Sequence, residues 1–108
     1  MKALAVSVAT AILLYGMPIM AADTAAGKAL YEKKCATCHG AAGEGKDSIA
    51  KMFQVEMKPL SSKEVQAKSD SDLKKIVVEG TGKMKPVKDV QAKDADDIVA
   101  YLRTLAKK

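Results

Sequence analysis

The chain has 108 residues, which allows one small domain. With no Trp, one Phe and three Tyr, large aromatic side chains cannot fill a core, so a disulfide, metal or cofactor is expected to add to it. The formal net charge is +5 at pH 7, but the lysines are scattered and no aromatic residues lie among them, which argues against nucleic-acid binding.

The N-terminal segment has the pattern of an export signal. Lys2 precedes a long uncharged run that is apolar at its centre and ends in small residues. This predicts a secretory signal peptide over residues 1–22, cleaved after Ala21 or Ala22, and a single domain over residues 23–108. The alternative is a retained membrane anchor, since about 20 uncharged residues can span a bilayer. A glycine and a proline within the run favour the signal peptide.

The first predicted helix begins after this leader. Asp23 or Thr24 can cap it, and its pattern continues to about Lys34. The sequence G-A-A-G-E-G follows at residues 40–45 and predicts a loop with close approach of the backbone to another group.

Two further helix starts are predicted in the middle of the chain. Ser61 with Glu64 resembles a capping box for one short helical turn. Ser69 with Asp72 is a weaker start for a helix that ends at about Glu79.

The last part of the chain contains a loop and then a helix. Residues 80–86 hold two glycines and a proline, which predicts a loop bearing Met84. Asp94 is expected to open the closing helix, with acidic residues at its start and Arg103 near its end. No segment alternates long enough to predict a strand, so the fold class is all-α.

A repeated pattern complicates the choice between two methionines. M-K-P followed by V-Q-A-K occurs in residues 57–68 and again in residues 84–93. The match indicates either two related loop-then-helix units or chance, and it makes Met57 a rival to Met84. Met52 is interpreted as core filler, as methionine commonly is.

The most specific motif is C-A-T-C-H, formed by Cys35, Cys38 and His39. This spacing is typical of c-type haem attachment. Two thiols three residues apart can form thioethers to the two vinyl groups of a porphyrin. The adjacent imidazole then lies beneath the iron, and His39 is the single histidine of the chain.

Three other interpretations of the motif are weaker. A thioredoxin-like redox pair should follow a strand, whereas this motif follows a predicted helix. A structural zinc site needs four ligands, and the chain has no third cysteine or second histidine. A plain disulfide gives His39 no role.

From about Asp23 onward the chain resembles a class I c-type cytochrome, a small monohaem cytochrome c. The resemblance rests on C-A-T-C-H-G, the glycine-rich segment after it, the late Met-Lys-Pro loop, and the first and last helices. It implies roughly three to five short helices around one covalently attached haem c, with the terminal helices crossing. It also places Gly27, Tyr31 and Tyr101 at that crossing.

Met84 is the predicted sixth ligand of the iron, opposite His39. It lies on a glycine-flanked loop before the last helix, where the resembled family places its axial methionine, and a thioether suits a haem of raised reduction potential. Met57 is closer in sequence to His39 and is the alternative.

Apolar residues along the chain are the expected wall of the haem pocket. They are Phe53, Leu60, Val65, Leu73, Ile76, Val77, Val87, Ile98 and Leu102.

A haem iron with both axial positions filled has no vacancy for a substrate, so the predicted function is outer-sphere electron transfer and not catalysis. The expected protein is a periplasmic monomer whose redox partner carries an acidic docking face. Lysines on the loops expected to frame the haem edge would steer that partner. They are Lys46, Lys83, Lys85 and Lys88.

Three rival functions remain at the level of sequence. A haem enzyme or gas sensor requires an open distal site. A thiol-disulfide oxidoreductase would use Cys35 and Cys38 as free thiols. A subunit of a respiratory complex would keep the leader as its anchor.

Overall fold

The computed structural model describes residues 22–106. The predicted signal peptide and its cleavage sites therefore lie, apart from Ala22, outside the described residues. Within the described range there are six α-helices and an isolated bridge between Thr81 and Met84, and no strand. The helices are α1 (Thr24–Lys34), α2 (Ala36–His39), α3 (Asp47–Phe53), α4 (Lys63–Gln66), α5 (Asp70–Glu79) and α6 (Ala92–Thr104).

The all-α fold class is confirmed, and the helix number exceeds the expected three to five. The reason is that α2 and α4 are single turns of four residues each. Among residues 22–106, no helix is both long and apolar enough to cross a membrane.

Two of the predicted helix starts are confirmed by their caps. The Asp23 carboxylate accepts a hydrogen bond from the Ala26 amide at 3.1 Å, and α1 follows. The Ser69 hydroxyl accepts one from the Asp72 amide at 3.1 Å, and α5 follows and ends at Glu79. In each case the side chain satisfies an amide that the first helical turn leaves without a partner.

Two predicted starts were displaced along the chain. Ser62, and not Ser61, caps α4, with its hydroxyl 3.3 Å from the Val65 amide. Helix α6 starts at Ala92 instead of Asp94, because the Asp94 carboxylate reaches back to the Gln91 amide at 3.1 Å. From sequence alone, an acidic residue within the first turn of a helix can thus be mistaken for the capping residue that precedes the helix. Helix α3 was not predicted.

The packing of α1 against α6 is the main interhelical contact of the described chain. A Cβ atom at Gly27 would lie 1.9 Å from the backbone oxygen of Asp97, so only glycine permits this approach. One turn further along α1, the Tyr31 and Tyr101 rings lie 5.2 Å apart between centroids. The crossing implied by the family resemblance is therefore confirmed.

The core lies between α1, α5 and α6. Its buried cluster includes Cys35 from the junction of α1 and α2, which places the C-x-x-C-H motif against the helix crossing. The members are Tyr31, Cys35, Val77, Ala95, Ile98 and Leu102.

Polar contacts join the α4 region to α6. The Gln66 amide donates to the backbone oxygens of Leu60 at 2.8 Å and Leu102 at 3.0 Å. Arg103 donates to the Lys68 backbone oxygen at 2.6 Å and to the Asp70 carboxylate. Gln66 and Arg103 therefore hold the segment leading into α5 on α6. The sequence predicted only a favourable helix-end charge for Arg103 and no role for Gln66.

Asp97 ties the N-terminus of α1 to α6. Its side chain is nearly buried, and its Oδ1 accepts from the Asp23 amide at 2.8 Å and from the Lys93 ammonium at 2.5 Å. The Lys93 hydrogen bond, followed by the one from the Asp23 amide, lowers the pKa of Asp97 below its ordinary value of 3.8. Such a carboxylate stabilises the fold in its ionised form.

We expect Asp97→Asn to lower the free energy of unfolding of the protein by about 1 kcal/mol at pH 7, because a charge-assisted hydrogen bond is lost. Since the folded-state pKa is lowered, this contribution is complete only well above the ordinary value of 3.8, and it is lost as the pH falls through the folded-state pKa. Denaturant titrations at decreasing pH should thus give free energies of unfolding for wild type and variant that converge in acid.

The control is Asp96→Asn, which removes an exposed carboxylate that pairs with Lys74 at 3.0 Å. Its effect should be smaller, since exposed ion pairs contribute little. An equal loss in both variants would contradict the role assigned to Asp97.

Candidate haem-binding site

Cys35, Cys38 and His39 lie on a nearly continuous helical segment. Cys35 ends α1 and donates its amide to the Tyr31 backbone oxygen at 2.8 Å, and His39 donates to the Cys35 oxygen at 3.0 Å. Residues three and four apart on such a turn share one face. The fold therefore directs both thiols and the imidazole to the same side of the chain.

Cys35 and Cys38 form no disulfide, and the burial of Cys35 controls the chemistry of its thiol before haem is attached. Desolvation raises the pKa of Cys35 to about 11, nearby Cys38 adds to the shift, and Lys34 opposes it. Reactive cysteines of disulfide oxidoreductases have lowered pKa values. The environment of Cys35 is thus the opposite of what the thiol-disulfide oxidoreductase hypothesis requires.

His39 is a partly buried imidazole without a polar partner for one nitrogen. Its Nδ1 atom is buried and makes no hydrogen bond. Burial lowers the pKa of His39, so the ring is neutral at pH 7. An unpaired buried polar atom is costly, and a neutral imidazole is the form that binds metals.

The donor set fits a covalently attached haem better than a metal ion held by protein alone. Across residues 22–106, no group of three or more His, Cys, Asp or Glu side chains is arranged to hold an ion. This disfavours the zinc hypothesis. Two thiols on one turn beside a neutral imidazole provide the attachment points and one axial ligand that haem c needs.

The glycine-rich segment at residues 40–45 is a loop, as its composition predicted, and the structure shows that it folds back on α2. The Gly45 amide donates to the His39 backbone oxygen at 2.7 Å, and the Lys46 amide donates to that of Cys38 at 3.2 Å. Gly40 has a φ of +86°, a conformation that side-chain-bearing residues rarely adopt. The chain can therefore turn immediately after His39.

Met84 lies on a loop that is held in place by its backbone. Met84 and Thr81 exchange two backbone hydrogen bonds of 2.9 Å each. Just beyond them, the Val87 amide donates to the Val77 backbone oxygen at 3.0 Å, and Val87 packs against the core cluster that contains Cys35. The half-buried Met84 side chain thus projects from an ordered turn next to the core.

Met57 occupies a different environment. A Cβ atom on Gly45 would lie 3.1 Å from the Met57 backbone oxygen, so Met57 is adjacent to the loop that follows His39. The two copies of the repeated sequence pattern are not equivalent in structure. Val65 and Gln66 end α4, whereas Val90 and Gln91 precede α6. The similarity does not correspond to two related units.

The prediction for Met52 was wrong. Met52 is 70% exposed and Phe53, at the end of α3, is 40% exposed. Because α3 was not predicted from the sequence, neither was the outward placement of these two side chains. The exposed Phe53 also differs from the rest of the predicted pocket wall. Leu73, Val77, Ile98 and Leu102 are buried and the other four are half-buried.

An all-helical fold with C-x-x-C-H at the end of its first helical segment defines a small c-type cytochrome. Residues 22–102 match the protein family described as cytochrome c oxidase, cbb3-type, subunit III. Cytochrome c-554(547) of Halothiobacillus neapolitanus is 32% identical over 93 residues, which cover 79% of this chain and 99% of the relative.

Solved structures agree with this assignment. The KustC0563 c-type cytochrome has a TM-score of 0.65 at 28% identity, covering 75% of this chain and 98% of its own. Cytochrome cL from Hyphomicrobium denitrificans shares the fold, with a TM-score of 0.60 at 24% identity over 78% of this chain and 48% of that one. The chain belongs to the cytochrome c family in its cbb3-type branch, carries covalently bound haem c and acts in haem-based electron transfer.

Proposed function

We propose that this cytochrome is a periplasmic electron carrier that holds its haem through Cys35 and Cys38 and ligates the iron with His39 and Met84. The observation that carries the proposal is the buried, unpaired imidazole nitrogen of His39 beside two free cysteines on one helical turn. When bound, the haem supplies an iron that gains or loses one electron.

The residues around the motif suit these roles. Cys35 and Cys38 would hold the haem as thioethers, since addition of each thiol S–H across a vinyl double bond needs no leaving group. The buried position of Cys35 in the α1–α6 core would anchor one edge of the haem to the most tightly packed part of the fold. Neutral His39 can bind the iron without first losing a proton.

The position of Met84 supports its assignment as the second axial ligand. Met57 lies beside the loop that leaves His39, whereas Met84 belongs to a separate turn linked to α5 through Val77 and Val87. A ligand opposite His39 must come from a different part of the chain. Methionine ligation also closes the iron to substrates, which favours a carrier over a haem enzyme or gas sensor.

We expect the oxidised protein to show the weak long-wavelength band of a methionine–iron bond, and Met84→Ala to lose it. Met57→Ala is the matched control and should keep the band, since it removes the same side chain from the rival loop. Visible spectra of the three purified holoproteins make the comparison.

Other outcomes reassign the ligand or the function. Loss of the band only in Met57→Ala would move the axial role to Met57. A wild-type protein without the band would contradict the closed carrier and favour an enzyme or sensor with an open site.

A lysine-rich surface is the proposed docking face for the redox partner. Lys46, Lys83, Lys85 and Lys88 are exposed, and the Lys83 ammonium donates to the Phe53 backbone oxygen at 2.8 Å. This bond joins the Met84 loop to the C-terminal end of α3. Positive charge around these loops fits an acidic partner and would accelerate its approach.

We expect the double variant Lys83→Glu and Lys85→Glu to slow electron exchange with an acidic redox protein by about tenfold at low salt, and much less at high salt. The control is a second double variant, Lys28→Glu and Lys75→Glu, at one position on α1 and one on α5. It changes the net charge by the same amount as the first double variant. Stopped-flow rates that are equal for the two double variants would exclude this docking face.

The leader and the oligomeric state are also part of the proposal. Residues 1–22 are a signal peptide that is cleaved off on export, and the mature carrier is monomeric. The intact mass of the exported protein tests the cleavage, and a retained leader would contradict it.

A second function, as an electron-carrying subunit of an oxidase, is favoured by the family description. The match to cytochrome c-554(547), which covers 99% of that relative, favours a carrier that is not part of a larger subunit.

A further inference from the structure

The main-chain nitrogen of Asp23 donates a hydrogen bond to a carboxylate from the last helix. The acceptor is Asp97 Oδ1 on α6, at 2.8 Å. The Asp97 side chain is only 6% exposed, so this contact is largely shielded from water. Asp23 is also the residue that follows the proposed signal peptide. The nitrogen that Asp97 binds is therefore the one that cleavage after Ala22 would release.

Hydrolysis of the Ala22–Asp23 peptide bond changes the charge of this nitrogen. One water is consumed, a carboxylate is left on Ala22, and the nitrogen of Asp23 becomes a protonated α-ammonium. The amide is neutral and has one N–H, whereas the ammonium has three donors and adds Coulomb attraction to the hydrogen bond. Removal of the leader would therefore strengthen a contact whose geometry is present in the fold.

The surroundings of Asp97 suit a second cation. Its Oδ1 also accepts from the Lys93 ammonium at 2.5 Å, but the Lys93 side chain is 43% exposed, so water screens part of its charge. A carboxylate that is removed from water is costly unless positive charge compensates it. An ammonium at Asp23 would supply such charge from α1, a different helix from the one that carries Lys93.

The start of α1 is otherwise an unfavourable place for a positive charge, because the N-terminal end of a helix is the positive end of its dipole. Two carboxylates counter this effect. The Asp23 side chain caps the helix by accepting from the Ala26 amide at 3.1 Å, and Asp97 binds the main-chain nitrogen. Since Asp97 belongs to α6, its contact would couple removal of the leader to the packing of α1 on α6.

We propose that Asp97 is the binding site for the mature N-terminus, and that cleavage after Ala22 stabilises the fold by placing the α-ammonium of Asp23 on this carboxylate. The inference rests on the proposed removal of the leader. It requires cleavage after Ala22 and not after Ala21, because a chain that begins at Ala22 keeps a neutral amide at Asp23.

The test compares the exported holoprotein with a variant in which one glycine is inserted between Ala22 and Asp23. The extended mature chain has the same net charge, but its α-ammonium lies one residue away from the nitrogen that Asp97 binds. Both forms are also made with Asp97→Asn and, as a control, with Asp96→Asn. Intact masses select the chains that begin at Asp23 and those that begin with the inserted glycine.

We expect the chain that begins at Asp23 to have an unfolding equilibrium constant about fivefold lower at pH 7 than the extended chain. The difference should disappear in the Asp97→Asn pair and persist in the Asp96→Asn pair, because only Asp97 contacts the nitrogen. Denaturant titrations of the holoproteins give these values.

A second measurement reports on the ammonium itself. A protonated α-amino group held by a carboxylate reacts slowly with an acetylating reagent, because only the free amine is nucleophilic. We expect acetylation of the N-terminus at pH 8 to be about fivefold slower in wild type than in Asp97→Asn, as measured by the mass of the first peptide.

Equal stabilities of the two chains, or a difference that persists in Asp97→Asn, would overturn the proposal and leave the removal of the leader standing. A mature chain that begins at Ala22 would overturn it in the same way. A retained leader would contradict both this inference and the proposed export on which it rests.

Discussion

The close approach of α1 and α6 at Gly27 is the constraint on which the rest of the structure depends. It brings the α1 backbone against the Asp97 carbonyl and allows Asp97 to hold the Asp23 amide. Because α1 runs directly into Cys35, the crossing also fixes where the haem-attachment motif starts. The α6 side of the same contact supplies the buried residues against which Cys35 packs.

Burial at the motif then determines its chemistry. Before haem is attached, it raises the pKa of Cys35 and lowers that of His39, which keeps the thiol protonated and the imidazole neutral. A protonated thiol beside a neutral imidazole is unfavourable for a redox-active cysteine pair, which needs a thiolate. The neutral imidazole is the form that can bind iron. The small protein core, with one fully buried aromatic side chain in the described range, is consistent with a domain that relies on its haem for additional apolar volume.

Local sequence signals predicted much of this architecture. Asp23 and Ser69 were identified as caps because capping depends on neighbouring residues, and C-x-x-C-H specifies its chemistry by spacing alone. The start of α6 was misplaced because Asp94 acts from within the first turn. The exposure of Met52, the bond from Asp23 to Asp97 and the difference between Met57 and Met84 depend on contacts between distant segments, which no local pattern specifies.

The most direct test of the central claim is the mass of the peptide that contains the motif. After the holoprotein is denatured and digested, the peptide spanning residues 35–46 should carry one haem, and neither Cys35 nor Cys38 should react with a thiol reagent. A haem that is extracted by acid solvent, leaving this peptide with two free thiols, would contradict covalent attachment at Cys35 and Cys38.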